Sequence, residues 1–313
     1  MPDQDPADAA APEEGVGRRC GFIAIIGAPN AGKSTLINRL VGTKVAIVSH
    51  KVQTTRFPVR GISIVGDSQL VFIDTPGIFA PRRRLDRAMV EAASSTATEA
   101  DVVLLLVDAV KGVDASVTRI VDQIRAIRSP VILVLNKIDK IRKDELLALT
   151  ADLNNRHSFA ATFMVSALAG SGVDDLMTYL AKIVPEGPWH YPEDEITDAT
   201  ERATAAEITR ERIYHHLHDE LPYQTTVETT SWKDFKDGSV RIEQTIFVER
   251  ESQRRIVLGD GGKTVKLISM ESRRELGRMF GRVVHLFLHV KVKERWEDDP
   301  EHYREMGLEF PKE

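Results

Sequence analysis

The chain has 313 residues, 42% hydrophobic and 28% charged, with a formal net charge of -5. That length allows about two domains with their own cores, and the acidic balance excludes a protein that binds polyanions through overall charge alone. One cysteine, Cys20, excludes an intrachain disulfide; with no signal peptide evident, a reducing cytosol is expected.

Residues 1–17 are rich in Ala, Pro, Asp and Glu and predict a disordered tail. The apolar run 22–26 predicts a buried strand. It is followed by Gly27-Ala28-Pro29-Asn30-Ala31-Gly32-Lys33-Ser34 and then a helix-like pattern, Thr35-Leu36-Ile37-Asn38-Arg39-Leu40. Strand, glycine loop and helix stand in the order and spacing of a phosphate loop. A tight loop at a helix start aims several backbone N–H groups at one point, and the helix dipole adds positive potential there. Lys33 can reach the β- and γ-phosphates and Ser34 can ligate Mg²⁺. Gly27, Asn30, Ala31, Gly32, Lys33, Ser34 and Thr35 are therefore the candidate phosphate cradle. A chance Gly-rich turn is the alternative, and the flanking strand and helix weigh against it.

Further on, the run 70–73 predicts a strand that closes on Asp74-Thr75-Pro76-Gly77. An aspartate at a strand end beside a phosphate loop can hold Mg²⁺ through water. Gly77 lets its backbone N–H approach a γ-phosphate with no Cβ in the way. Alone this D-x-x-G pattern is an ordinary turn; about fifty residues after a phosphate loop it is specific. The runs 102–107 and 131–135 predict buried parallel strands, and both fall far short of the ~20 residues of a membrane span. The second closes on Asn136-Lys137-Ile138-Asp139. A carboxylate at Asp139 accepts from N1–H and the exocyclic amine of guanine, donors that adenine lacks, so the wrong base leaves polar groups unpaired. The stem of Lys137 can cover the base plane. Ser166-Ala167-Leu168 follows a short strand, and the Ala167 N–H can meet the guanine O6.

Residues 185–199 hold three prolines and many acids and predict an interdomain linker. The first domain then runs 18–184 and the second 200–313. Helical spacing over 200–220 places Ala203, Ala206, Ile208, Ile213 and Leu217 on one face. Alternation predicts strands at 223–232 and 240–248, joined near Asp237-Gly238. Then come Ile256-Val257-Leu258, the loop Gly259-Asp260-Gly261-Gly262, a helix, another helix through Met279, and a strand over 283–292. His215, His218 and Asp219 share a helix face, but no second shell accompanies them, so a solvated face is the reading.

The ordered set GAPNAGKS, QTTR, DTPG, NKID and SAL resembles that of translation-factor-type P-loop GTPases and is most similar to the Era branch; the resemblance covers residues 20–313. The second half, α-β-β-α-α-β with G-x-x-G between two helices, resembles a type II KH domain, as Era proteins carry. The implied fold class is α/β: a GTPase domain with a mostly parallel sheet, then a smaller α+β KH domain. By the same resemblance, Thr55 of Gln53-Thr54-Thr55-Arg56 closes on Mg²⁺ when GTP is bound, with Thr54 the less favoured neighbour. Lys33, Thr55 and Gly77 become the expected catalytic groups; Ser34, Thr55 and Asp74 the expected Mg²⁺ ligands. Ile78 stands where Ras-like enzymes carry the glutamine that orients water, which implies slow intrinsic hydrolysis. Relatives of Era share this apolar substitution, and in several an asparagine matching Asn30 coordinates K⁺; a residue merely tolerated in the loop is the alternative.

G-x-x-G lets a nucleic-acid backbone lie against the peptide beside an apolar groove for single-stranded bases. Between positions 250 and 296 there are twelve Lys and Arg against five Asp and Glu, a surplus suited to phosphate. Arg254, Arg255, Gly259, Asp260, Gly261, Gly262 and Lys263 are the candidate RNA contacts. Asp260 departs from the basic residue common there, and the neighbouring cations are expected to offset its repulsion. The resemblance implies GTP, GDP and Mg²⁺ as cofactors, the 3′ end of small-subunit rRNA and the 30S subunit as partners, a role in ribosome assembly, and a monomer. Peripheral contact with a membrane through the basic surface is a further expectation, although no amphipathic anchor is evident. An RNA chaperone with a vestigial GTPase is the main rival; intact Lys33, Ser34, Asp74 and Asp139 argue against it. A tRNA-modifying GTPase lacks its cysteine motif here, and a tandem GTPase would need a second phosphate loop.

Overall fold

The computed structural model describes residues 17–51, 54–79, 81, 83–305 and 307–311. The expected tail at 1–16 and Gln53 of the QTTR segment lie outside the described residues.

The first half alternates strands and helices: β1 (Arg19–Gly27), α1 (Lys33–Val41), β2 (Val59–Val65), β3 (Ser68–Asp74), α2 (Arg84–Glu99), β4 (Val102–Asp108), α3 (Ala115–Ile124), β5 (Val131–Asn136), α4 (Lys143–Arg156), β6 (Ala161–Val165) and α5 (Val173–Ile183). The sheet runs β2-β3-β1-β4-β5-β6, and only β2–β3 is antiparallel. Helices cover both faces, which is why β4 and β5 read as unbroken Val/Leu runs rather than alternating ones. Successive residues still part company. Ile23, Ile25, Leu104 and Leu106 face α1 and α5, while Ala24, Ile26, Val103 and Leu105 face α2, α3 and α4. The loops that carry the chemistry leave the C-terminal ends of β1, β3 and β5, where an open parallel sheet gathers its ligands.

The second half comprises α6 (Glu201–His216), β7 (Thr225–Asp234), β8 (Val240–Val248), α7 (Glu251–Leu258), α8 (Lys263–Phe280), β9 (Val284–Val292) and the short α9 (Pro300–Glu305). Its sheet runs β7-β8-β9, antiparallel then parallel. Ile246, Val248 and Val290 of the sheet pack on Ile213, Val257 and Ile268 of the helices. The expected strand at 223–232 begins at Thr225, because Pro222 sits in a 3-10 turn (Leu221–Gln224) ahead of it.

Two segments differ from the sequence reading in character. The helix expected to bury one face buries Ala205, Thr209, Arg210, Glu211 and Tyr214 besides Ile208 and Ile213, so it is covered on two sides. The acidic, Pro-rich stretch 185–199 is laid along the edge of the first sheet. The Cys20 N–H donates to Pro185 O at 3.1 Å and the Ile62 N–H to Ile196 O at 2.9 Å. Gln69, fully buried, accepts from the His190 and Tyr191 N–H groups at 2.9 and 3.1 Å and donates to Tyr191 O at 2.8 Å. Composition reported the prolines; it could not report that a buried glutamine supplies partners for the backbone between them.

Candidate functional site

The β1–α1 loop turns tightly, with Asn30 at φ +63° and Gly32 at φ +102°. A Cβ on Gly32 would stand 2.4 Å from Asn136 Nδ2. Gly32 is thus required both by conformation and by close approach. No side chain caps the first turn of α1, so its N–H groups remain open to an external acceptor. Lys33 is buried behind the loop, with Nζ donating to Gly27 O at 3.1 Å and Ala28 O at 3.3 Å. Burial pushes its amine down to about 8, against the pull of Asp74.

Ser34, Thr55 and Asp74 meet at one point. Ser34 Oγ donates to Asp74 Oδ2 at 2.7 Å, Thr55 Oγ1 donates to the same oxygen at 3.0 Å, and the two hydroxyls are 3.0 Å apart. Thr54 turns away and donates to Lys51 O at 2.9 Å. Asp74 is fully buried, and its Oδ1 has no hydrogen-bond partner among the described residues. Burial raises its pKa, opposed by Lys33, Ser34 and Thr55. A buried carboxylate with an orphaned oxygen, flanked by two hydroxyl oxygens, is a hard-oxygen donor set of the kind Mg²⁺ takes. The residues present fit that ion.

Thr75 donates to Ile25 O at 2.8 Å and pins the start of the next turn. After Pro76 comes Gly77, where a Cβ would lie 3.2 Å from Pro29 N and 3.3 Å from Lys33 Nζ. Ile78 is buried in the core with Ala24 and Ile26, and presents no polar group to the site.

The β5 loop is built by Asn136, which donates to Ala31 O at 2.8 Å and accepts from the Ala167 N–H at 3.0 Å. It joins the phosphate loop to the Ser166-Ala167-Leu168 turn. Lys137, at φ +67°, donates to Asn30 O at 2.8 Å and pairs with Asp108 at 2.6 Å. Its stem is therefore stretched across the mouth of the site. Asp139 is exposed, and a hydrogen bond from Ser166 holds its carboxyl below the usual range. Leu168 is exposed. Arg39, which the sequence reading missed, holds this turn from α1 by donating to Ala167 O at 3.1 Å and Leu168 O at 2.5 Å.

In the second half, Gly259, Gly261 and Gly262 all take positive φ, and space is open around the last two. Asp260 pairs with Lys263 at 3.2 Å with both side chains exposed, so the acid is met but only weakly bound. Arg255 is exposed, whereas Arg254 is committed to Val290 O at 3.1 Å and Glu251 at 2.9 Å. The histidines form no cluster: His216 meets Glu271 at 2.8 Å and His215 lies 3.3 Å from Val48 O.

The loop that carries Thr55 is gripped by the second half, a feature no motif announced. Glu211, 2% exposed, accepts from Lys44 at 2.7 Å and from the Val48 N–H at 2.9 Å. Lys51 donates to Tyr214 O and Leu217 O at the end of α6, and Arg56 donates to Thr225 O at 2.8 Å and Tyr223 O at 3.2 Å. Leu85, Ala88 and Met89 of α2 pack on Trp296, Tyr303 and Leu308 near the chain end. The signal in the sequence was the interruption of the apolar pattern of α6 by Glu207, Arg210, Glu211 and Arg212.

Residues 22–137 match the sequence model of the family described as a 50S ribosome-binding GTPase, and residues 220–297 match that of the KH domain. The chain is 62% identical to GTPase Era of Bradyrhizobium sp. (strain BTAi1 / ATCC BAA-1182) over 96% of this chain and 97% of that one. It is 59% identical to GTPase Era of Afipia carboxidovorans over the whole of both chains. The chain belongs to the Era family. Among solved structures, Era in complex with MgGDPNP and nucleotides 1506–1542 of 16S ribosomal RNA superposes with a TM-score of 0.88 at 38% identity, covering 93% of this chain and 99% of that one. A variant of Aquifex aeolicus Era bound to GDP·AlF4⁻ gives 0.88 at 39% identity, covering 92% and 99%.

Replacing Asn136 by Ala strands Ala31 O and the Ala167 N–H in a buried place. The expected loss is about 3 kcal/mol of stability, read from urea unfolding; an unchanged midpoint would mean that other groups hold the two loops together.

Proposed function

We propose that the protein is a Mg²⁺-dependent GTPase whose bound nucleotide controls its grip on single-stranded RNA during assembly of the 30S ribosomal subunit. The observation that carries the reading is the meeting of Ser34, Thr55 and Asp74 beside buried Lys33, on a loop whose other residues are held by the second half. The Era complex with MgGDPNP and 16S rRNA supports it from outside the chain.

In this reading residues 18–184 bind nucleotide, 200–313 bind RNA, and 185–199 connect them. The open N–H groups at the start of α1 receive the phosphates, and the Lys33 amine, released from Gly27 O and Ala28 O, turns to them. An anion at that place holds the ammonium charged despite its burial. Ser34, Thr55 and Asp74 hold the Mg²⁺, which when bound stabilises charge on the phosphate oxygens. Gly77 leaves room for its own N–H at the terminal phosphate. Asp139 receives the two guanine donors, the Lys137 stem covers the ring, and the Ala167 N–H, held by Asn136, faces O6. Ile78 offers nothing to orient a water, so turnover is slow. Asn30 donates through Nδ2 to His50 O at 3.0 Å, which leaves its amide oxygen for a K⁺ ion at the phosphates. Open Gly261 and Gly262, with Arg255 and Lys263 beside them, receive the RNA backbone, and the 3′ end of small-subunit rRNA is the partner.

Asp139→Ala is expected to weaken GTP binding by about a hundredfold or more while leaving ATP binding as poor as before. Calorimetry that found both nucleotides equally bound by the parent protein would remove the base assignment. GTP turnover is expected to run faster in K⁺ than in Na⁺ of equal ionic strength, and equal rates would leave Asn30 without its ion. RNA affinity is expected to differ by about fivefold or more between a GTP analogue and GDP, with Lys51→Ala narrowing the ratio; identical affinities in the parent would sink the switch.

A further inference from the structure

Among the described residues, the β7-β8-β9 sheet has helices on one face only. Its inner residues, Val240, Ile242, Ile246 and Val248 on β8 and Leu286 and Val290 on β9, supply the core. Alternation sends the intervening residues to the opposite face. The register places Lys233, Arg241 and His285 in one row, with Glu243 beside Phe287 in the next, then His289 opposite Thr245 and Lys291 opposite Phe247.

A solvated sheet face is ordinarily filled by hydroxyl and charged side chains. Here β9 displays Phe287, 45% exposed, between exposed His285 and His289. The Arg241 guanidinium lies 4.6 Å from the Phe287 ring centroid. Phe235, 39% exposed, meets the His285 ring at 6.4 Å. His285, Phe287 and His289 recur along β9 at about 6.6 Å, two residues of strand. Lys233, Arg241 and Lys291 outnumber the carboxylates of the same rows, Glu228 and Glu243, on a protein whose net charge is -5. The face thus carries a surplus of one cation, with Arg241 paired to the exchangeable Glu243 at 2.7 Å, on a molecule that as a whole repels a phosphodiester chain.

Position supplies the remaining argument. The inner side of β9 is joined to the helix before the glycine loop by the Arg254 bond to Val290 O at 3.1 Å. β9 is also an edge strand. A strand of RNA leaving the glycine loop along α7 thus reaches the β9 edge and has only that edge to cross.

We propose that the outer face of this sheet, centred on Phe287 and Arg241, is a second single-stranded RNA surface that stacks bases and extends the one at the glycine loop. It rests on the RNA-binding reading above. Stacking of bases on sheet aromatics between basic side chains is the mode by which other single-strand readers work.

The test uses the full chain with a GTP analogue and two RNAs from the 3′ end of 16S rRNA. One is about 8 nucleotides, enough for one single-strand site, and one about 20, enough for two. Phe287→Ala is expected to weaken the long RNA by about tenfold and leave the short one unchanged, while Phe287→Tyr retains the parent affinity. Gly261→Asp is expected to weaken both. Photo-crosslinking of the long RNA is expected to label the β9 peptide as well as the glycine loop. Equal binding of both RNAs by Phe287→Ala and parent, equal weakening of both, or a label confined to the glycine loop would overturn the second surface; the last result would leave the face to a protein partner. A parent protein that binds neither RNA would overturn the RNA reading itself.

Discussion

A carboxylate buried from solvent governs this molecule. Asp74 ends a fully buried strand, and one of its oxygens already takes two hydroxyl donors, from Ser34 and Thr55. The other has none among the described residues. Burial drives the acid toward its neutral form, so this place is stable only when positive charge or a proton answers it. Lys33 is near, but its own burial weakens its charge and its amine is spent on loop carbonyls. The phosphate loop, the strand end and the loop that carries Thr55 are therefore three pieces held by one unmet electrostatic demand.

That demand reaches the second half through a short stretch of chain. Thr55 has its hydroxyl in the cluster, and its neighbour Arg56 has its guanidinium on the backbone of Tyr223 and Thr225. Four residues earlier Lys51 caps the end of α6. The Thr55 hydroxyl in the cluster is thus flanked along one loop by Lys51 and Arg56, which hold the second half, so a displacement of Thr55 pulls on contacts that are paired. Breaking them strands Glu211 and Arg56 in poorly solvated surroundings. The loop is thus held both by the cluster at Asp74 and by the second half. The packing of α2 on Trp296 and Tyr303 gives the turn after Gly77 its own link to the same half.

Much of this was legible in the sequence, and the reason is chemical. A phosphate cradle needs Gly where φ is positive or a Cβ would collide, and it needs Lys and Ser at fixed offsets. Gly32 has both a positive φ and a neighbour in the way of a Cβ, while a Cβ on Gly77 would crowd Pro29 and Lys33. The Asn136-Lys137-Ile138-Asp139 segment does stand at and just past the end of β5. Buried strands on a two-sided sheet need unbroken apolar runs, and 102–107 and 131–135 are such runs. What escaped notice has no local pattern. Arg39 reaches the Ala167 turn across more than a hundred residues of sequence. Gln69 looks like any polar strand residue and is fully buried. α6 was read as one-faced because its second buried side is made of Arg and Glu, which periodicity scores as solvent.

The charge distribution decides how RNA can approach. At a net charge of -5 the molecule as a whole gives a polyanion no long-range welcome, and attraction has to come from within about a Debye length of the basic segment. Within that segment several cations are already neutralised: Arg254 by Glu251, Lys263 by Asp260, Arg278 by Glu275. All three pairs are at least partly exposed, so each can exchange a carboxylate for a phosphate at small cost. In the proposed reading, binding at the glycine loop is then an exchange of partners more than a capture of free charge. It follows that shape and stacking must supply a large share of the affinity, since net Coulomb attraction is modest. Open glycine backbone and exposed rings are the features that supply them, and the second half displays both on adjoining surfaces.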